Sequence, residues 1–369
     1  MPAGCRRLPS AACAVQAEAA TGGWLLDGTR RGCPRPSGRG FGLDKLRFGF
    51  IGAGGITHGH ARRITEGGEG EVVAVAEPDP RSVERFRQST GLEPRVYGNH
   101  REMLTQEALD CALVGSPHTL HFEHSGDALR AGVHVLSEKP MVCTSAHARE
   151  LIRTIGESGK VFMISYQRHL DPTFLWMKQQ VESGALGRLT YIATMLCQEW
   201  LQGTRGTWRQ DPALSGGGQI NDSGSHLIDV MTWLGGPAAE VTAFMDNRGA
   251  PVDINSTVGF RYRSGAMGSL TIIGDAHHWW EDWTVSGEGG TIYFRNGRLM
   301  KAVLGQGMAE VPAEALPPSP GNVDQYFIDA VRGRAPVLVP AEIGLGVIGL
   351  TEAAWRSAAD RRPVEAPGA

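Results

Sequence analysis

The chain of 369 residues contains no run of apolar side chains near the ~20 that a membrane-crossing helix needs, because charge or glycine breaks every candidate within about a dozen residues. A helical membrane protein is therefore not expected. Neither sign of charge dominates: 36 basic side chains face 39 acidic ones, for a net charge of −3. A polyanion-binding surface rests on a basic excess, so nucleic acid is not an expected partner. Cysteine is sparse, and Cys5, Cys13, Cys33, Cys111, Cys143 and Cys197 include no CxxC pair. That spacing fits neither a zinc site nor a dense disulfide framework; no metal is expected, and a reducing cytoplasm is the expected compartment. Lysine is scarcer still relative to arginine, at 5 against 31, a skew that suits a GC-rich coding sequence. Any motif built on a lysine therefore stands out.

What is there reads as a soluble globular protein, 41% hydrophobic and 20% charged, long enough for about two domains. Residues 1–44 differ from the rest, being rich in Ala, Gly, Pro and Arg without apolar periodicity, and are expected to form a poorly ordered extension. Arg6-Arg7 and Arg30-Arg31 resemble twin-arginine export signals, but neither precedes a continuous apolar stretch, and Gly and Pro would interrupt the helix of a transit peptide. An unstructured tail, or a start codon set too far upstream, is the expectation.

From Leu46 the pattern changes. The apolar run Leu46–Ile51 leads into Gly52-Ala53-Gly54-Gly55-Ile56-Thr57 and then a segment of helical character. In such a turn the first glycine permits the bend, the second lets backbone N–H groups approach a pyrophosphate, and the helix N-terminus supplies positive potential. Thr57 stands at the third fingerprint position, where Gly or Ala is usual. A second apolar run ends on Glu77, about 20 residues after the turn, where a carboxylate accepts hydrogen bonds from ribose hydroxyls and repels a 2′-phosphate. This favours NAD over NADP, with Arg81 leaving NADP open. Apolar runs at 110–115, 133–137 and 161–165 alternate with helical segments at 121–131 and 145–158, as in a doubly wound parallel sheet. Ser116, Pro117, His118, Glu138, Lys139, Pro140 and Tyr166 then fall at the carboxyl ends of strands, where such sheets bind ligands.

Two further motifs carry chemistry. Glu138-Lys139-Pro140 projects a lysine from a strand end toward the crevice. A partly desolvated lysine there can relay a proton or donate to a substrate hydroxyl. Later, Gly216-Gly217-Gly218 leads through Asp222 and His226 to Asp229 and Gly235-Gly236. Asp222 and His226 share a helix face, as do His226 and Asp229, so a carboxylate could orient an imidazole suited to acid/base work. The plainer alternative makes Asp222 a helix cap and His226 a core partner.

The glycine turn, Glu138-Lys139-Pro140 and the glycine run followed by Asp222 and His226 together resemble the Gfo/Idh/MocA oxidoreductases. Ser116-Pro117-His118-Thr119-Leu120-His121, Tyr166-Gln167-Arg168-His169-Leu170-Asp171-Pro172 and the stretch from Pro340 to Pro363 extend the likeness over about Leu46 to Glu365. The resemblance implies an α/β protein with a Rossmann domain over 45–165. It also implies an α+β substrate and oligomerisation domain over 166–320, built on a large, mostly antiparallel open sheet, and C-terminal helices over 321–369 that pack back near the first domain. Residues 189–198, 240–245, 254–262 and 267–273 read as strands of that sheet. By the same likeness, Gly52, Gly54, Gly55, Ile56, Glu77, Ser116, Pro117, His121, Glu138, Lys139 and Gln167 would bind cofactor, and Lys139, Asp222 and His226 would be catalytic. Tyr166, Arg168 and Trp208 are weaker substrate candidates. Trp200 and the cluster from His277 to Trp283 offer further aromatic surface, although core packing or a subunit interface explains the cluster better.

The implied activity is hydride transfer between a nicotinamide cofactor and a secondary hydroxyl or carbonyl of a sugar, cyclitol or derivative. The alternatives are an NAD-dependent glycosidase with no net cofactor turnover and a non-catalytic nucleotide-binding regulator. A small-molecule sugar or polyol is the expected partner, and a homodimer or homotetramer the expected assembly.

Overall fold

The computed structural model describes residues 44–366. Apart from Asp44, the extension expected over 1–44 lies outside these residues. The run at 46–51 forms β1 (Leu46–Ile51), with Phe48, Phe50 and Ile51 buried. It pairs in parallel with β2 (Gly70–Ala76) and β4 (Cys111–Val114). β3 (Arg95–Tyr97), β5 (His134–Ser137) and β6 (Phe162–Ile164) complete a six-stranded parallel sheet in the order 3-2-1-4-5-6. The order reverses between β1 and β4, which opens a crevice beyond their carboxyl ends.

Helices α1 (Gly55–Glu66), α2 (Pro80–Thr90), α3 (His100–Gln106), α4 (His121–Arg130) and α5 (Ser145–Ser158) link these strands. Their ends follow local chemistry. The Asp79 side chain accepts from Arg81 N at the start of α2 and Thr144 from His147 N at the start of α5, while Gly91 and Gly159 end the same helices in the left-handed conformation.

After α6 (Pro172–Glu182) the chain builds a second sheet. Its strands are β7 (Leu189–Glu199), β8 (Ala238–Asp246), β9 (Asn255–Tyr262), β10 (Met267–Ile273), β11 (Asp275–Gly287), β12 (Gly290–Arg295), β13 (Arg298–Val303), β14 (Gly307–Glu310) and β15 (Val364–Glu365). The order is 14-13-12-11-7-10-9-8-15, antiparallel throughout except for the β7–β10 pair. The four strands read from sequence all appear, with ends moved by at most two residues.

Short helices α7 (Trp200–Gly203) and α8 (Pro212–Ser215) precede α9 (Ser223–Gly235) in the β7–β8 connection. Along β7, Ile192, Thr194 and Leu196 are buried while the alternate residues are not, so one face of the sheet is covered. Helix α9 lies on that face at close range: a Cβ on Gly224 would sit 2.6 Å from Ile272 Cδ1. The chain then returns through α10 (Val323–Val331) and α11 (Ala341–Asp360). Phe327 of α10 packs edge-on to Phe48, and Glu352 of α11 accepts the backbone N–H of Ser145 at 3.0 Å. The last helices therefore brace the elements that carry the first sheet's loops. Among the described residues no helix is long and apolar enough to cross a membrane.

Candidate active site

Two adjoining clefts lie over the carboxyl ends of the parallel strands. The first, about 470 Å³, is lined at the glycine turn by Gly52 and Gly54 and elsewhere by side chains that include Glu77, His124, Trp208 and Leu214, with Ser116 and Pro117. Gly52 has φ +101°, and a Cβ there would press to 2.9 Å from the Gly115 carbonyl, so the turn needs glycine for both conformation and space. Thr57, at the third fingerprint position, is fully buried. Its hydroxyl donates to Gly54 O at 2.8 Å, and its methyl sits where a Gly115 side chain would fall. A small residue suffices there, which is why the departure from Gly or Ala does no harm.

Gly54 and Gly55 differ from Gly52. A Cβ on either would meet no protein atom within 4 Å, so the fold does not require their bareness. What they keep open is the approach to the N-terminus of the 12-residue α1, whose first turn carries no acidic side chain. At the end of β2, Glu77 accepts from Ala53 N and Asp79 N, both at 2.9 Å, and its carboxylate faces the cleft. Arg81 turns to Asp79 and is largely exposed. A bare helix N-terminus for a pyrophosphate and a fixed carboxylate for a ribose together fit a dinucleotide without a 2′-phosphate.

The second cleft, about 640 Å³, is walled by side chains that include His60, Glu138, Lys139, Gln167, Arg168 and His226. Lys139 follows β5, and its Nζ donates to Asp222 Oδ1 at 2.7 Å and to the Asp222 carbonyl at 3.3 Å. The other carboxylate oxygen of Asp222 accepts from Trp200 Nε1 at 2.9 Å and Arg209 Nε at 3.1 Å. Asp222 does stand at the N-cap of α9, but its side chain caps nothing. Burial alone would raise its pKa, yet Lys139 and Arg209 hold it far below the usual carboxylate range. His118, 3.8 Å from Asp222, is pushed down to about 3 by burial and stays neutral.

His226, one turn into α9, lines the same cleft with Nδ1 buried and unpartnered among the described residues. Burial, then the Lys139 and Arg168 cations, depress its pKa well below 6.5. The imidazole is therefore neutral at pH 7. The expected carboxylate partner for it is absent: Asp222 faces Lys139, and Asp229 receives His169 Nε2 at 3.0 Å. Helical spacing placed both acids near His226, but stronger donors elsewhere in the fold take them.

Beneath Lys139 runs a buried charge network. His60 Nε2 lies 2.8 Å from Glu138 and its Nδ1 2.5 Å from Asp324 on α10, which also binds Arg63. Burial would lower the His60 pKa, but Asp324 and Glu138 raise it to about 9. Burial would raise that of Glu138, but the His60 hydrogen bond and charge, with Lys139, hold it at about 2.

Other expected positions sort unevenly. Gln167 lines the second cleft rather than the first, and Ile56, 52% exposed, stands at its edge. His121 is buried between two cleft loops, its ring nitrogens 2.8 and 2.9 Å from the Pro140 and Ser116 carbonyls, and as a neutral ring it donates to one of them. Tyr166 is also buried, edge-on to His226. Trp208 lines the first cleft against His118, and Trp200 is buried with its N–H on Asp222, so neither indole faces the second cleft. In the cluster from His277 to Trp283, Trp283 is core, while Trp279 and Trp280 are exposed. His60, Arg209, Glu281 and Asp324 were not read from sequence. The only signal was the Trp208-Arg209 pair ahead of the glycine run.

Residues 46–166 match the family model described as "Oxidoreductase family, NAD-binding Rossmann fold", and residues 174–293 match the GFO/IDH/MocA C-terminal domain. The chain belongs to the Gfo/Idh/MocA oxidoreductase family. Among its relatives, D-glucoside 3-dehydrogenase of Escherichia coli is 31% identical over 199 residues, covering 53% of this chain and 56% of that protein. The 1-carboxy-3-chloro-3,4-dihydroxycyclohexa-1,5-diene dehydrogenase of Comamonas testosteroni is 26% identical over 211 residues, covering 56% and 53%. The chain thus spans about half the length of these relatives. Levoglucosan dehydrogenase, solved with NADH and levoglucosan, shares the fold at TM-score 0.77 and 22% identity, over 88% of this chain and 100% of that one. The WlbA dehydrogenase of Bordetella pertussis, solved with NADH and UDP-GlcNAcA, does so at TM-score 0.75 and 24% identity, over the same shares. In this Gfo/Idh/MocA chain, the family's nucleotide-binding part coincides with the parallel sheet and the cleft at its glycine turn.

Proposed function

We propose that this protein is an NAD-dependent dehydrogenase or reductase acting on a secondary hydroxyl or carbonyl of a sugar, cyclitol or derivative. The observation that carries the reading is Lys139, anchored on Asp222, and a neutral His226 lining one cleft beside the glycine turn. Gly52, Gly54, Gly55 and Glu77 would hold the dinucleotide, with Glu77 favouring NAD over NADP. The nicotinamide, when bound, supplies the hydride chemistry.

The chain's own residues do the rest. Lys139 Nζ, fixed by two bonds to Asp222, has donor capacity left for a substrate oxygen and stabilises negative charge as it develops there. His226 is neutral and so able to accept the hydroxyl proton on oxidation, or to return it on reduction. With Nδ1 buried, the Nε2 edge of the ring is the one left to meet substrate. Asp222 is a positioning residue whose charge keeps Lys139 in place. The Glu138–His60–Asp324 network fixes the backbone from which Lys139 projects. Residues in this arrangement have no use in a protein that only binds nucleotide.

Following NADH absorbance while NAD⁺ and a panel of sugars and cyclitols are supplied tests the reading. Sustained NADH production is the expected result. Aglycone release from glycosides without NADH accumulation would instead identify a glycosidase, and binding of NADH with neither reaction a regulator.

A further inference from the structure

The charge pattern of the second cleft narrows the substrate, given the dehydrogenase reading above. Four cationic side chains line this cleft among the described residues, and each already has a carboxylate partner. Lys139 binds Asp222, Arg63 binds Asp324, His60 bridges Glu138 and Asp324, and Arg168 binds Glu281. Arg168 is the informative one. It leaves the 3-10 turn Gln167–Leu170 after β6, beside Lys139, where a free guanidinium would present the bidentate fork that recognises carboxylate or phosphate.

That fork is taken. Arg168 Nη1 and Nη2 donate to Glu281 Oε1 and Oε2 at 2.5 and 2.9 Å, and Trp283 Nε1 donates to Glu281 Oε1 at 2.6 Å. Both ion-pair partners are mostly buried, and the guanidinium is further held against Phe174, 4.9 Å from the ring centroid. Glu281 is carried by β11, so the pair spans 113 residues and joins the loop after the parallel sheet to the second sheet. At the mouth, Asp171 is exposed. Its carboxylate accepts from Thr173 N at the start of α6 and makes no ion pair among the described residues.

We infer that the cleft selects uncharged polyols and sugars, and that Glu281, by occupying Arg168, is the residue that excludes uronates and sugar phosphates. An anion entering would have to displace a buried, doubly bonded carboxylate or lie beside it and Asp171. A neutral hydroxyl compound needs only donors and acceptors, which the paired groups still offer at their remaining N–H bonds and lone pairs.

The test uses the NADH-loaded protein and calorimetry, with NADH production from NAD⁺ followed in parallel. Neutral probes are D-glucose, methyl glucoside and myo-inositol; acidic probes are D-glucuronate and glucose 6-phosphate. Neutral probes are expected to bind, and to be preferred over acidic counterparts by about 10²-fold. Glu281→Gln keeps an acceptor for Trp283 and frees the guanidinium, and should shrink that preference about tenfold. Asp171→Asn, at an exposed position where Asn caps equally well, should shrink it about twofold to threefold.

Acidic probes binding the unaltered protein as tightly as neutral ones overturns the inference while leaving the dehydrogenase reading intact. A folded Glu281→Gln protein with unchanged preference overturns it too. Neutral binding with the expected preference but no NADH supports the inference and overturns the dehydrogenase reading. Binding of neither class overturns both.

Discussion

The two clefts solve recognition with different materials. At the glycine turn the first offers bare backbone: a glycine at φ +101°, two more glycines whose bareness the protein does not need, and beside them one carboxylate fixed by two N–H groups. The second is made of ionised side chains paired across the molecule, Lys139 with Asp222, Arg168 with Glu281, and His60 between Glu138 and Asp324. A pyrophosphate is the same in every dinucleotide and is met well by fixed amides. A reacting hydroxyl needs groups that move protons or hold charge; those that carry charge are buried only in pairs, whereas His226 is buried neutral.

The largest expected effect separates chemistry from binding. His226→Ala should lower turnover by about 10²–10⁴-fold while NADH affinity, read by fluorescence titration, stays nearly unchanged. Full turnover in that variant would show that His226 is not the group that takes the hydroxyl proton. The pH profile sharpens the point. Because burial, Lys139 and Arg168 keep the imidazole neutral well below 6.5, kcat/KM for the free enzyme should show no acid limb centred near the ordinary histidine value.

Next in size is a stability effect confined to the charged cleft. The His60 pKa is raised from 6.5 to about 9, so its pairing stabilises the fold fully below pH 6.5, and that contribution fades as pH rises through 9. Urea unfolding should show a loss of about 3 kcal/mol between those limits, an upper value for a network coupled to Glu138 and Asp324. His60→Gln should flatten the slope. An unchanged slope in the variant would remove His60 from the network's titration.

The same division explains what could be read from sequence. The glycine turn, Glu77 and the strand-end loops were legible because each signal lies within one strand–turn–helix unit and obeys backbone rules. Lys139 was legible through its strand-end position and the lysine shortage, and Asp222 and His226 through helical spacing. Their partners were not. Asp324 lies 264 residues from His60 and Glu281 lies 113 from Arg168, with no periodicity linking them. Where spacing alone was used, it misassigned Asp222 and Asp229 to His226, because a shared helix face says nothing of Lys139 or His169 arriving from the other elements. Trp200 failed similarly: an aromatic side chain suited to stacking instead uses its indole N–H on a buried carboxylate.

The smallest expected effect tests whether the first cleft is built for a ligand rather than for the fold. Gly55 is the first residue of α1, and an added Cβ there would meet no protein atom within 4 Å. Alanine is the better helix former, so Gly55→Ala should leave the melting temperature unchanged or raise it, by up to about 1 kcal/mol of stability. If the space is kept for a pyrophosphate, the methyl group obstructs it, and NADH affinity should fall about tenfold, near 1.4 kcal/mol. Gly52→Ala provides the contrast, since its φ and the 2.9 Å approach to Gly115 predict a loss of stability together with binding. Stability up with affinity down at position 55, and both down at position 52, would separate the glycine that makes the turn from the glycine that leaves room for the cofactor. An affinity unchanged by Gly55→Ala would mean that the ligand does not approach the helix N-terminus through this opening.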